Sequence, residues 1–192
     1  KISDFFLTEQ TLCYDIGCST GTFLKKISAR NQKKKIEFIG IDEIKDMCVM
    51  AKKKNSNNKK IKIFNKKIQN FKFKKSSFLT SFFTIQFIHP SYRQDVFDKI
   101  YKSLRWGGGF LLFEKVRSPD ARFQDMINQI YLEYKLDQNY TPDEILSKSM
   151  SLKGVMEPFS TNGNIQMMKR AGFKDITTVF KFLNFEGFLA IK

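Results

Sequence analysis

Seven residues near the start of the chain, Asp15-Ile16-Gly17-Cys18-Ser19-Thr20-Gly21, have the types and spacing to hold a nucleotide-like ligand. They follow a short apolar run, Leu12-Cys13-Tyr14, and lead into a helix-like run from Thr22 to Ile27. Glycines at 17 and 21 let the backbone turn tightly and approach a ligand with no side chain between. Strand, glycine-rich turn and helix N-terminus, in that order, form a nucleotide cradle. One βα unit later, the apolar run from Ile36 to Ile41 ends in Asp42-Glu43. An acid at that strand tip, roughly 20 residues past the turn, is placed to accept hydrogen bonds from a ribose.

The spacing narrows the ligand. It reads Asp-x-Gly-x-Ser-x-Gly, with Ser19 where a dinucleotide turn carries its second glycine. No Gly-x-x-x-x-Gly-Lys-Ser/Thr occurs, which excludes a nucleoside triphosphate loop. Asp15, ahead of the turn, repels phosphates but can hold an ammonium through water or backbone groups. This suits a ligand with an amino-acid end and a ribose, S-adenosylmethionine. Gly17, Cys18 and Ser19 are then expected to offer backbone N–H groups and a hydroxyl to the methionine carboxylate, before Gly21 opens the helix. Asp42, with Glu43 beside it, takes the ribose. Cys18 reads as a small packing residue, because no His or Lys neighbour is placed to lower its pKa.

The stretch from Tyr14 to Gly21 resembles the first motif of class I S-adenosylmethionine-dependent methyltransferases. More narrowly, it resembles the carboxy-S-adenosylmethionine synthase family, in which that motif reads Asp-Leu-Gly-Cys-Ser-x-Gly. Other stretches agree in order and spacing: Phe83 to Gln94 (FTIQFIHPSYRQ), Asp98 to Tyr101, Leu104 to Gly109 (LRWGGG), and Glu114-Lys115. Ser149 to Met156 (SMSLKGVM), Ala171 to Phe173 and Phe182 to Phe185 complete a match that runs nearly end to end. Thr-x-Gln-Phe followed by Pro-Ser-x-Arg-Gln is not a general methyltransferase pattern.

The resemblance implies S-adenosylmethionine, its carboxylated form or S-adenosylhomocysteine as the bound cofactor. It implies prephenate as carboxyl donor, service to tRNA wobble-uridine modification, and a homodimer. Three positions depart from the family. Lys67, with Ile68, occupies the adenine position, where the family has an acid. A lysine cannot accept a hydrogen bond, so the adenine contact moves to backbone groups at 67 and 68 or to Gln69. Phe82 replaces an Asn, and packs in the core or against the cofactor. Ser149 replaces the Arg that holds the extra carboxylate, and a serine cannot supply that charge. Lys148 beside it is a point charge about 100° away around a helix. With these substitutions, ordinary methyl transfer to an unidentified acceptor is the expected reaction, with carboxyl transfer as the alternative. A non-catalytic nucleotide- or RNA-binding scaffold is a third reading.

Methyl transfer asks little of side chains, because the sulfonium arrives activated and the protein aligns the acceptor and excludes water. A weak small-molecule acceptor needs a base. The candidates are His89 before Pro90, Glu114 at the end of the fifth strand, and Tyr140. Tyr131, Tyr134, Tyr140 and Phe159 form either an apolar substrate pocket or core.

The elements that must position these residues alternate between apolar runs and helical patterns, which predicts an α/β fold with a mostly parallel sheet. Strands are expected at 11–16, 36–41, 61–65, 78–84, 109–116, 176–182 and 187–191. Helices are expected at 22–29, 45–54, 92–104, 119–135, 142–150 and 162–171. Ser91 reads as an N-cap, Gly107-Gly108-Gly109 as the end of that helix, and Thr141-Pro142-Asp143-Glu144 as a helix start. The last two strands, joined through Asn184-Phe185-Glu186, pair antiparallel. The expectation is one Rossmann-like domain of residues 1–192 with seven strands, helices on both faces, and a helical lid at about 119–160.

Composition bounds the rest. A chain of 192 residues with 21 phenylalanines and 42% hydrophobic residues can bury one substantial core. No run of eighteen apolar residues exists, so no membrane span is expected. Three cysteines without a Cys-x-x-Cys pair, and no signal-peptide pattern, point to the cytoplasm. One histidine and no ligand cluster argue against a metal site. The net charge of +15 sits in lysine runs at 33–35, 52–54, 59–60, 66–67 and 72–75. These are solvated loops or a surface for RNA or an acidic substrate. Arginines, the better bidentate phosphate readers, are scarce.

Overall fold

The computed structural model describes residues 1–8 and 10–192. Among them, seven strands and six α-helices follow the expected order. They are β1 (Thr11–Ile16), α1 (Thr22–Arg30), β2 (Ile36–Asp42), α2 (Lys45–Lys54), β3 (Ile61–Asn65), β4 (Ser76–Phe82) and α3 (Pro90–Ser103). There follow β5 (Leu104–Lys115), α4 (Ala121–Asp137), α5 (Pro142–Leu152), α6 (Thr161–Ala171), β6 (Asp175–Phe182) and β7 (Phe185–Ile191). One sheet holds all seven strands in the order β3-β2-β1-β4-β5-β7-β6. β1 to β5 run parallel, and β7 is antiparallel to both β5 and β6. The order reverses between β1 and β4, so the C-terminal ends of those strands flank the crevice where open α/β sheets bind ligands.

Each face of the sheet carries its own apolar layer. Tyr14, Ile16, Leu79, Phe110 and Phe188 meet Phe97 and Ile100 of α3 and Met167 and Met168 of α6 on one face. Cys13, Phe38, Phe78 and Leu111 meet Leu24 and Ile27 of α1 on the other. α3 buries Val96, Phe97 and Ile100 at helical spacing, and the fourth position of that stripe is Arg93, only 2% exposed. Each fully buried Phe or Leu contributes about 1.5–3 kcal/mol by leaving water.

Several boundaries differ from expectation, for tertiary reasons. β4 begins at Ser76 and ends at Phe82, because Phe83 turns to φ 54, which no strand accommodates. α3 starts at Pro90 with His89 as its N-cap, not Ser91: the His89 side chain accepts from the Ser91 N–H. The glycine triplet does not end α3, which stops at Ser103 where Leu104 pairs with Ser76. Gly107 to Gly109 instead lie inside β5, at a register shift that Gly107 allows by taking φ +73. β6 and β7 pair antiparallel as expected, through a tighter turn at Leu183-Asn184. The capping box at the start of α5 is present, with Thr141 and Glu144 each bonding the other's backbone N–H.

α4 buries none of its residues and leaves Phe123, Met126 and Ile130 largely exposed. Tyr131 and Tyr134 pack edge-on against Phe185 and Phe182 at the tip of the β6–β7 hairpin, with centroids 5.2 and 5.3 Å apart. These aromatics thus hold α4 to the hairpin and do not line a substrate pocket. No helix among the described residues is long and apolar enough to cross a membrane.

Candidate cofactor site and the clamped loop beside it

A cavity of about 660 Å³ opens at the C-terminal ends of β1, β2 and β4. Ile16, Gly17 and Ser19 line it from the glycine turn, and Asp42 and Glu43 from the tip of β2. Lys67, Ile68 and Gln69 line the adenine side, and Phe82 to Thr84 with Phe87 to His89 form the opposite wall. The structure therefore brings together Gly17, Ser19, Asp42, Glu43, Lys67, Ile68, Phe82 and His89. Phe82 packs on Phe23 and Phe113, as the core reading expects, and also lines the cavity.

Asp15, Cys18 and Gly21 lie outside the cavity lining among the described residues. Asp15 is 2% exposed, and its Oδ1 accepts from the Thr80 hydroxyl at 2.7 Å, so it steadies β1 against β4 and reaches no ammonium. Cys18 is buried, and burial with the nearby Asp15 and Asp42 pushes its thiol far up, so it packs and does not react. At Gly21, φ is +71, and an added Cβ would lie 2.7 Å from Asn55 Nδ2 and 3.1 Å from Ala51. Its missing side chain serves the approach of α1 to α2.

The backbone donors of the turn are a second correction. The N–H groups of Gly17 and Cys18 both donate to the Ile41 carbonyl, at 2.8 and 3.1 Å. The Ser19 N–H donates to Asp42 Oδ2 at 2.8 Å. A neighbouring parallel strand has claimed the donors expected to face a carboxylate. Ser19 keeps its hydroxyl at the cavity, near Met47 Sδ at 3.6 Å.

The fit to an adenosyl ligand rests on two observations. At Gly17, φ is +70 and a Cβ would stand 1.9 Å from Thr84 Oγ1, so the turn presents bare backbone where no side chain fits. Asp42 accepts one N–H on each oxygen, from Ser19 at 2.8 Å and Ile44 at 2.9 Å. Each carboxylate oxygen retains acceptor capacity for a ribose hydroxyl. The residues present therefore fit the ligand, with Asp42 for the ribose, Ser19 for the amino-acid end and the backbone near Ile68 for adenine.

The wall from Phe83 to His89 is held by two buried side chains, an acid and a base. Glu114, 2% exposed, accepts from the N–H groups of Thr84 (3.2 Å), Ile85 (2.9 Å) and Gln86 (2.9 Å). Arg93 donates to the carbonyls of Ile88 (2.7 Å), Gln86 (3.0 Å) and Glu157 (2.7 Å), with its guanidinium 4.4 Å from the Phe159 ring centroid. Gln86 Oε1 accepts from the Lys115 N–H at 3.0 Å. A buried carboxyl thus takes the loop's donors while a guanidinium takes its acceptors. Phe83, a bulky residue at φ 54, is kept there by its N–H bond to the Phe113 carbonyl at 2.7 Å and by edge contacts with Phe113 and Phe185.

These contacts revise the list of bases. Both Glu114 oxygens are occupied by backbone donors, so Glu114 holds the loop and meets no substrate. His89 remains on the cavity rim with Nδ1 engaged by Ser91, 2.8 Å from its hydroxyl. Tyr140 sits 55% exposed after α4, and Lys148 and Ser149 lie exposed on α5, all outside the cavity lining. Thr84, Phe87, Tyr92 and Val155, which do line it, carried no sequence signal beyond the resemblance. Arg93 did carry one: a cation in an otherwise apolar stripe.

Burial pushes Asp15 up to about 7, against the pull of the Thr80 hydrogen bond, and Glu114 up to about 8, against its three N–H donors. Each acid holds its proton more tightly folded than unfolded, so each stabilises the fold at low pH. That contribution is lost as pH rises through the folded value. Thermal stability should therefore fall from about pH 4, where the unfolded carboxyls titrate, to about pH 8, and level off for these two groups above it. Asp15→Asn keeps the acceptor for Thr80 and removes one titration, so its melting temperature should fall less steeply over that range. An unchanged slope would contradict the assignment.

The comparisons agree with this geometry. A family described as "Methyltransferase domain" matches residues 14–108. The chain is 40% identical over 191 residues to the carboxy-S-adenosyl-L-methionine synthase of Staphylococcus epidermidis, covering 100% of this chain and 83% of that protein. It is 35% identical to the synthase of the same name from Campylobacter lari, covering 100% and 81%. Among solved structures, it resembles an S-adenosylmethionine-dependent methyltransferase from Aquifex aeolicus, with TM-score 0.68, 13% identity, and 99% and 86% of the two chains covered. The fold is that of class I methyltransferases, the cavity lies at the reversal of its strand order, and the relatives match over the whole of this chain: the chain belongs to the carboxy-S-adenosyl-L-methionine synthase family and is an S-adenosylmethionine-dependent transferase.

Proposed function

We propose that this protein transfers a carboxyl group from prephenate to the methyl carbon of S-adenosylmethionine, and so makes carboxy-S-adenosyl-L-methionine for tRNA wobble-uridine modification; prephenate loses its ring carboxyl and hydroxyl to become phenylpyruvate, and the proton lost by the methyl carbon leaves with the hydroxide as water. One observation carries the reading. The residues that set the family apart from general methyltransferases, Gln86 and Arg93, build the clamped wall of the cofactor cavity. They line no part of the cavity themselves but hold the loop whose residues Thr84, Phe87, Ile88 and His89 do. When bound, the sulfonium would make its methyl C–H bonds acidic enough for that carbon to take up the carboxyl group. Asp42 orients the ribose, Ser19 meets the amino-acid end, and Phe82, Phe83 and Phe87 exclude water and face the cation with aromatic rings.

Ordinary methyl transfer is favoured by Ser149, which is a serine and lies exposed on α5 away from the cavity. Mass spectrometry separates the two readings. The ligand released from purified protein, and the product formed from S-adenosylmethionine and prephenate, should be heavier than S-adenosylmethionine by one carboxyl group. Release of only S-adenosylmethionine or S-adenosylhomocysteine, with no conversion in the presence of prephenate, would overturn the proposal.

A further inference from the structure

A second cavity, of about 560 Å³, lies between the β3–β4 connection and the C-terminal half of α3. Four lysines line it, Lys72, Lys75, Lys99 and Lys102, and no acidic residue does so among those described. Two of them are fixed: Lys75 Nζ donates to the Lys102 carbonyl at 2.8 Å, and Lys99 Nζ donates to the Gln69 carbonyl. Each ammonium has three donors and spends one on these contacts, so both present oriented charge to the groove. Lys72 and Lys102 are exposed. None of the four pairs with a carboxylate, and only one lysine does so among the described residues, Lys62 with Glu37.

The floor of the groove explains its shape. In the extended segment from Phe71 to Lys75, side chains alternate. Phe71 and Phe73 turn inward, where they pack edge-on against each other and against Tyr14. Lys72 and Lys74 turn outward. An apolar anchor thus holds a basic strip rigidly beside the basic end of α3. Simple solvation of lysines requires no such pinning, nor a concave site free of acids.

We infer that this groove binds the phosphate backbone of single-stranded RNA. The chemistry is charge neutralisation without base readout, since the groove offers ammonium groups over buried rings and no planar guanidinium among its described lining residues. Neutralising about four phosphates predicts a slope of log affinity against log salt near −3, at roughly 0.7 per phosphate for single strands.

The test is fluorescence anisotropy of a short labelled single-stranded RNA across about 50–200 mM salt. Lys72→Glu/Lys102→Glu should weaken binding roughly tenfold or more at low salt and flatten the slope by about 1.4. Lys52→Glu/Lys53→Glu changes charge equally at the exposed end of α2 and should have a much smaller effect. Both proteins should melt as the parent does; if the glutamates unfold the chain, Lys72→Gln/Lys102→Gln carries the same comparison with a smaller loss. Equal weakening by the two pairs, an unchanged slope, or no RNA binding at low salt would each overturn the inference.

Discussion

Arg93→Met should destabilise the protein by about 2–4 kcal/mol and weaken S-adenosylhomocysteine binding at least tenfold. The methionine fills much of the arginine's volume but donates nothing. The carbonyls of Ile88 and Glu157 each lose a 2.7 Å partner, the first in a buried setting and the second in a partly buried one. An unpaired buried polar group costs about 1–3 kcal/mol. Gln86 is less affected, because its carbonyl also accepts from the Glu157 N–H at 2.9 Å. The loss is large beside a total stability of about 5–15 kcal/mol. It also falls on the segment that forms one cavity wall, so binding should suffer beyond the global change. Arg93→Lys should be intermediate, since an ammonium retains charge but not the planar fork that spans three carbonyls. Denaturant unfolding and ligand titration check both parts. A Met variant as stable as the parent would show that the loop holds itself.

The second large effect is expected from Gly17→Ala. Two costs combine. The backbone at φ +70 disfavours any side chain by about 1–2 kcal/mol. The new methyl group would also collide with the whole Thr84 side chain, at 1.9 Å from Oγ1, 2.6 Å from Cγ2 and 2.8 Å from Cβ. Thr84 opens the clamped loop, so it cannot retreat without breaking the Glu114 contacts. Overpacking of this kind costs about 1–3 kcal/mol. The methyl group enters at the junction of turn and wall, where the adenosyl ligand must lie. Affinity should fall by about two orders of magnitude while the sheet remains folded, as judged by calorimetry and circular dichroism.

Much of this site is legible in the sequence because its first half is local. The strand, the turn from 15 to 21, α1 and the acid at 42 follow one another within two βα units, and their order alone locates the cavity. What is not legible depends on contacts between distant segments. The Gly17 and Cys18 donors look free until β2 is laid beside β1 and the Ile41 carbonyl takes them. The glycine triplet reads as a helix end until Leu104 pairs with Ser76 and draws residues 107 to 109 into β5. Glu114 reads either as a cleft base or as a buried structural acid, since its position at a strand tip is visible but the three loop partners that decide it, some thirty residues away, are not. The aromatics of α4 read equally as pocket walls or as packing residues, because the hairpin tip they bind follows about fifty residues later.

Isothermal titration of the wild-type chain with S-adenosylhomocysteine, alongside Gly17→Ala, tests the central placement most directly. Saturable binding at one site per chain that the alanine nearly abolishes is the expected result. No binding heat from the wild-type chain, or equal affinity in the variant, would show that the crevice between β1 and β4 does not hold the adenosyl ligand.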